Sequence, residues 1–339
     1  MTDNSSNGLH ADVSMKDVER VAGVSHGAVS NFFNHPERVS ESTRRRIAAA
    51  VADLGYVRDE TARQLRAGTS ATVGLSLLDG WNPFFNTVTT SIEGVIRDGG
   101  YELFVVNSSG YSERESRNLQ AFASRRMAGI LAVTHSPSVV DQLVVMQRRG
   151  IPTVLVDQGS RILRLPSVSV DNLLIGRLAG EHLAGLDRRR VWYVGIDDPH
   201  DDARLQGCAH GLRKNQMLQR IQVPDHSIGT GEAVGNSIGA LASAERPDAI
   251  FAATDLLALG MMGALIRQGL RVPEDVAIIG VDDIAFARHS MIPLTTIRQP
   301  ATEMGRTAAA MLLQYIRSGV PADPRSVTLA PELIVRNSA

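Results

Sequence analysis

The residues with chemistry to offer fall into two groups far apart in the chain. The first lies in VSMKDVERVAGVSHGAVSNFF, Val13 to Phe33. After Ser25, one side of the segment shows His26, Gly27, Ser30 and Asn31, all small or hydrogen-bonding. Such a side suits base edges in a major groove, where Asn pairs bidentately with adenine and His bonds a purine edge. The second group trails apolar runs. Asp79 follows Thr72–Leu78, His135 follows Gly129–Thr134, Asp157 follows Pro152–Val156, and Asp282 and Asp283 follow Val276–Val281. Arg204 stands in the first turns of a helical stretch after Val191–Gly195, and Trp81, Phe84, Phe85 and Phe251 add flat apolar surface. Carboxylates and an Arg at one mouth bond vicinal hydroxyls in pairs, while an aromatic face covers a sugar or base ring. Asp171 and Asp255 read equally well as helix caps, and for Phe251 plain core is the lesser alternative to the cleft.

The elements that must carry the first group are short helices. Ser14 caps the first, with Asp17 as its capping-box partner, and Met15, Val18 and Ala22 share a face. Gly23, Val24 and Ser25 make a turn, with Val24 as plug and Ser25 as the next N-cap. Ala28, Val29, Phe32 and Phe33 hold the second helix to its scaffold. Ser40 opens a third helix with Ile47, Val51 and Leu54 inward and Gly55 as its stop. Arg44, Arg45 and Arg46 lie on its first turns, where phosphates could be met. An ordinary helical hairpin would show much the same pattern.

From Thr72 onward, apolar strand runs alternate with helical stretches. Strands are expected at 72–78, 102–107, 129–134, 152–156, 167–170, 191–195, 249–253 and 276–281. Helices are expected at 84–97, 112–126, 139–149, 172–186, 202–214, 234–244, 255–268 and 302–317. Continuous apolar strands in βα alternation mean parallel sheets covered on both faces, with ligands beyond the strands' carboxyl ends. Two such series imply two lobes and a cleft.

The stretches GVSHGAVSNFFN, VSESTRRRI, LGYVRDETARQLR, FAATDLLALG, GLRVPEDVAIIGVDD and LTTIRQP, collinear from about residue 13, closely resemble the lactose-repressor/galactose-repressor family of bacterial transcription regulators. The resemblance implies an α/β chain: an N-terminal three-helix helix-turn-helix domain, a hinge, then a two-lobed domain like the periplasmic binding proteins. The expected boundaries are a disordered tail at 1–12, a DNA-binding domain at 13–58, a hinge helix at 59–70 and an effector and dimerisation domain at 71–339. Lobe one takes about 71–166 and 298–322, and lobe two about 167–297 and 323–339. The candidate DNA contacts are Ser14, Ser25, His26, Gly27, Ser30, Asn31, Arg44, Arg45, Tyr56, Arg63, Leu65 and Arg66, with Leu65 wedging into the minor groove. In similar proteins the positions of Phe84, Phe85, His135, Asp157, Arg204, Phe251 and Asp282 line the effector cleft. Asp79, Trp81, Thr254 and Asp255 complete the candidates.

Two departures matter. Thr254 stands where the family often has Asn, with shorter reach and no amide donor. The loop from Asp197 to Asp202 is unusually acidic where purine-binding relatives favour basic or small residues. Sugars or polyols therefore fit better than purines, and a cationic ligand stays open. The same acids read as a solvated turn, and no metal or other cofactor is expected.

Composition sets the remaining bounds. With 339 residues and a formal net charge of −1, the chain has ample core and no chain-wide basic field. Cys208 is its one cysteine, so it forms neither an internal disulfide nor a zinc site, and the context reads as cytosolic. The start lacks a signal-peptide pattern, no apolar run approaches membrane-spanning length, and no GxSxG, phosphate loop, HExxH or CxxC occurs. An enzyme is not expected. The reading is a ligand-responsive regulator, most simply a repressor of carbohydrate uptake or catabolism genes. Its partners are double-stranded operator DNA, a sugar-like effector and a second copy in a homodimer, without membrane. A nucleoside or other non-sugar effector, and a stand-alone sensor with little DNA binding, are the alternatives.

Overall fold

A computed structural model describes residues 13–56, 70–158, 165–321 and 325–339. The chain divides into two units, Met1–Gly68 and Thr69–Ala339. Arg63, Leu65 and Arg66, and the hinge helix expected around them, lie outside the described residues.

The described residues of the first unit form α1 (Met15–Ala22), α2 (His26–Asn34) and α3 (Glu41–Leu54), with a 3-10 turn at Pro36–Arg38. Val18, Ala22, Val29, Val39, Ile47 and Ala50 form its core, with Val24, Phe32 and Phe33 packed against them. The Asp17 carboxylate accepts from the Ser14 hydroxyl at 2.7 Å and its backbone N–H at 3.1 Å. Those bonds hold the carboxyl down at about 2. Gly23 closes α1 with a φ of 60°, a left-handed turn that a side chain would strain.

The second unit contains two six-stranded sheets. The first consists of β1 (Thr72–Leu77), β2 (Glu102–Asn107), β3 (Gly129–Ala132), β4 (Thr153–Val156), β5 (Ser167–Val170) and β11 (Ser326–Leu329), in the order β11-β5-β4-β3-β1-β2 and all parallel. The second consists of β6 (Arg190–Gly195), β7 (Met217–Gln222), β8 (Ala249–Ala252), β9 (Ala277–Asp282), β10 (Thr295–Arg298) and β12 (Glu332–Ile334), in the order β12-β10-β9-β8-β6-β7. Among the described strands, only the β10–β12 pair is antiparallel. Helices α4 (Pro83–Asp98), α5 (Ser112–Ser124), α6 (Pro137–Arg148) and α12 (Ala301–Ser318) cover the first sheet. The second is served by α7 (Asn172–Gly185), α8 (Pro199–Gly211), α9 (Ile228–Ala240), α10 (Asp255–Arg267) and the short α11 (Ala285–His289).

The lobe boundaries therefore differ from the expected ones. Residues 167–170 and 326–329 pair with the first sheet, not the second. The chain crosses between lobes three times, after β5, after β10 and between β11 and β12. Strands β11 and β12, only two residues apart, lie in different sheets, because an apolar run records burial and not which sheet buries it. Strand β7 was not anticipated: Met217 and Gln219 are exposed on this edge strand, so MLQRIQ lacks a continuous apolar run.

Candidate functional site

Strand ends and helix starts of both lobes meet around a cavity of ≈ 80 Å³. Asp79, Asn82, Phe84, Phe85, His135 and Asp157 line it from lobe one. Ile196, Asp198, His200, Asp201, Arg204, His226, Thr254 and Asp282 line it from lobe two, with Gln299 on a crossing segment.

Close helix packing places Arg204. A Cβ on Gly176 of α7 would strike the Arg204 carbonyl, and one on Gly207 of α8 would strike that of Leu173. Only glycine lets these backbones approach so far. The buried Arg204 side chain then donates Nε to Asn172 Oδ1 at 2.8 Å and Nη1 to the Ala253 carbonyl at 2.7 Å, with Asp201 at 3.9 Å. Burial opposes its charge, but Asp201, Tyr193, Asp282 and Asp157 hold its pKa above the ordinary value.

Asp282 ends β9 with a φ of 116°, and Asp157 follows β4 with a φ of 54°. Both are buried, and both backbones sit where L-residues are strained, a conformation that clusters at binding sites. Asp282 accepts from Gln299 Nε2 at 2.7 Å and from Asn82 Nδ2 at 3.3 Å, the latter bond joining the lobes. Burial lifts its carboxyl to about 6, against the pull of Arg204 and these two amides.

A second link between lobes is His135 Nδ1 to Asp198 Oδ2 at 3.0 Å. Burial pushes the His135 imidazole down, but the bond and charge of Asp198, together with Asp157, bring the net shift upward. Against its own burial, Asp198 is held well below the carboxylate range by His135. His200 stands edge-on to His135, with ring centres 4.4 Å apart, and burial lowers its pKa. Asp201 Oδ2 accepts from the Ile196 N–H at 2.6 Å and contacts His226 Nε2 at 3.1 Å.

The acidic loop is thus not a uniformly solvated turn. Asp198 and Asp201 are buried, because Asp198 caps α8 through the Asp201 N–H at 2.8 Å and Asp201 ties the end of β6. Asp197 and Asp202 face solvent beside Arg220.

Three candidates lie elsewhere. Phe251 is fully buried against Tyr193 in the lobe-two core, ring centres 5.2 Å apart. Trp81 is 85% exposed and does not line the cavity. Asp255 is buried behind Thr254, accepting from the Thr296 hydroxyl at 2.6 Å and the Ile284 N–H at 2.9 Å, so it fixes the turn after β9. Asp283 is likewise engaged, by Arg298 and Arg336. Sequence reasoning missed Asn82, Gln299, Asp198, His200, Asp201 and His226. An Asn before Pro-Phe-Phe reads as a cap, which it also is, accepting from the Phe84 N–H at 2.9 Å.

In the first unit, Ser25 caps α2 through the Ala28 N–H at 3.3 Å. His26 is exposed but engages Glu19 Oε1 through Nδ1 at 2.5 Å, which leaves Nε2 for a base edge. Asn31 and Ser30 are half-buried at their edges on the same helix. Arg44 bonds the Pro36 carbonyl at 2.8 Å and Arg45 bonds Glu41 at 3.1 Å. Arg46 reaches back to the Ala22 and Gly23 carbonyls at 2.6 and 2.8 Å, so it braces α1 and is not grouped with phosphate contacts. Tyr56 packs its ring 6.0 Å from Phe33.

A helix-turn-helix unit and a two-lobed ligand cleft in one chain define the class of ligand-responsive, DNA-binding transcriptional regulators. Residues 14–59 match the bacterial regulatory proteins of the lacI family, and residues 180–339 match the periplasmic binding protein-like domain. The chain is 32% identical to the ribose operon repressor of Escherichia coli strain K12, over 96% of this chain and 99% of the relative. It is 30% identical to the HTH-type transcriptional repressor PurR of Vibrio cholerae strain M66-2, over 96% of this chain and 97% of the relative. The solved complex of the transcriptional regulator CelR with cellobiose superposes with a TM-score of 0.69 at 26% identity, covering 96% of this chain and all of that one. The chain belongs to the lacI family. These relatives are repressors and regulators, not enzymes. Among the described residues, no helix is long and apolar enough to cross a membrane.

Proposed function

We propose that the chain is a cytoplasmic repressor that binds a palindromic operator as a homodimer and answers to a sugar or other polyol held between its lobes. The carrying observation is an imbalance of hydrogen-bonding groups. Asp157 Oδ1 and Gln299 Oε1 are buried acceptors without a hydrogen-bond partner among the described residues, and Asp201 Oδ1 accepts no hydrogen bond from them although Arg204 Nη1 stands 3.9 Å away. A buried acceptor left unmade costs about 1–3 kcal/mol, so the cleft selects a ligand rich in donors. Vicinal hydroxyls supply them, and the Phe84 and Phe85 rings, in edge contact at 5.1 Å, offer apolar cover.

The relatives point both ways, to ribose and cellobiose by two names and to purines by a third. The cleft's surplus of acceptors favours the sugars, since every sugar hydroxyl can donate, whereas a purine ring also presents bare nitrogen acceptors that a free carboxylate cannot pair. A cavity of ≈ 80 Å³ is far below the roughly 300–1,000 Å³ of a typical ligand site. Entry therefore requires the lobes to part, and the bonds Asn82–Asp282 and His135–Asp198 are what must yield. A ligand that rewards one lobe arrangement over the other shifts DNA binding by that differential affinity and no more.

Calorimetric titration of pentoses, hexoses, disaccharides and purine bases, followed by operator binding with each binder, tests this. A sugar that binds and changes operator affinity supports the reading, and a purine that does so alone overturns the effector class.

A further inference from the structure

The acids of the cleft do more than offer acceptors. Asp79, Asp157, Asp198, Asp201 and Asp282 line it against the single guanidinium of Arg204, so the cavity is strongly electronegative. Within it, one donor atom each from His135, Asp198 and His200 lies within 4.8 Å of the other two. His135 comes from the end of lobe one's third strand, and the other two from the start of α8 in lobe two. We propose that these three residues form a site for a divalent transition-metal cation of the zinc class, bridging the two lobes.

The donor set carries the choice of ion. Two imidazoles and a carboxylate suit zinc, cobalt, nickel or copper and leave a position open, whereas magnesium and calcium take oxygen ligands almost exclusively. Tetrahedral ligand atoms about 2.0–2.1 Å from zinc stand roughly 3.3 Å from one another. The His135 Nδ1 to Asp198 Oδ2 separation of 3.0 Å is already near that figure. The longest edge of the triangle, within 4.8 Å, needs to close by at most about 1.5 Å, within reach of a side-chain rotation.

A group outside the triad supports the same place: Asp157 Oδ1 is buried without a hydrogen-bond partner among the described residues, on a side chain only 5% exposed. Asp157 is in the same cavity and is available as a further oxygen ligand. The site needs neither the sugar reading nor an operator, so its failure leaves both untouched.

The test is Co²⁺ titration of the chelator-stripped full chain, read by visible absorption and by equilibrium dialysis. The expected result is one Co²⁺ per chain with ligand-field bands, displaced by Zn²⁺ and not by Mg²⁺. His135→Asn with His200→Asn should weaken binding by about 100-fold or more. His210→Asn, an exposed histidine on the same helix as His200, should leave it unchanged. On the parent protein, Zn²⁺ but not Mg²⁺ should raise the unfolding temperature, a measurement that needs no variant. Absent bands, equal competition by Mg²⁺, or full Co²⁺ affinity in the folded double variant would overturn the site.

Discussion

Arg204 shows why a residue at a ligand site cannot be tested as though it served the ligand alone. Its Nε and Nη1 already satisfy Asn172 and the Ala253 carbonyl, and its charge stands among Asp201, Asp157 and Asp282. Arg204→Ala leaves those carboxylates buried and uncompensated, so it should destabilise by about 3–5 kcal/mol, read by urea unfolding. Arg204→Lys keeps the charge and loses the fork, and it should remain folded while losing at least tenfold in effector affinity. Wild-type affinity in the Lys variant would remove Arg204 from ligand recognition.

Asp282 makes the complementary case. Its carboxyl titrates near 6 in the folded chain against about 3.9 unfolded, so the folded state binds the proton more tightly. Stability from this group is therefore full below about pH 4 and lost as pH rises through about 6. Two units at 1.36 kcal/mol each make the loss about 3 kcal/mol. Asp282→Asn has no such slope. Its stability relative to the parent should rise by about 2 kcal/mol from pH 4 to pH 7, whatever its offset from the amide's single acceptor oxygen. A flat difference across that range would mean the carboxylate is better solvated than its burial indicates.

At the scale of elements, legibility followed apolar runs. Most strands were read from such runs, and β2 and β5 were bounded to the residue. Edge strand β7 was not, since Gln219 and Arg220 interrupt it, whereas β2, also an edge strand with exposed side chains, keeps the run Leu103–Val106. Helix caps were legible because Ser14, Ser25 and Ser40 have few other reasons to precede apolar periodicity. Phe251 was misplaced because a strand alternates its faces, and the sequence does not say which face meets a ligand. The glycines at 176, 180, 207 and 211 were visible, yet the close pairing of α7 with α8 that they permit depends on both helices at once.

The same scale separates three neighbouring arginines that sequence alone would treat together. Arg46 bonds two carbonyls at the end of α1, while Arg45 only pairs with Glu41 on its own helix. Arg46→Ala should therefore cost the first unit about 1–2 kcal/mol with no change in the salt slope of operator binding. Arg45→Ala should leave stability unchanged and flatten the slope by about 0.9 if that side chain meets a phosphate. Identical salt slopes for the parent and Arg45→Ala would take Arg45 off the DNA backbone.

For the whole molecule, the two lobes were legible and their boundary was not, because three crossings interleave segments that are distant in sequence. That interleaving matters for regulation: no lobe can rotate without moving all three crossings, one of which holds Gln299 on Asp282. The response should then be a rigid shift of lobes and not local melting. Its output depends on assembly. One recognition helix reads a few base pairs, so useful specificity requires two half-sites related by a two-fold axis. Inserting about five base pairs at the operator's centre turns one half-site to the opposite face of the duplex, at roughly 10–10.5 base pairs per turn. Affinity should fall by at least about 100-fold toward the non-specific level. Sedimentation of the unmodified complex should give two chains per duplex. A chain that binds the spaced and unspaced sites alike, one copy per half-site, would show that the two recognition helices act independently.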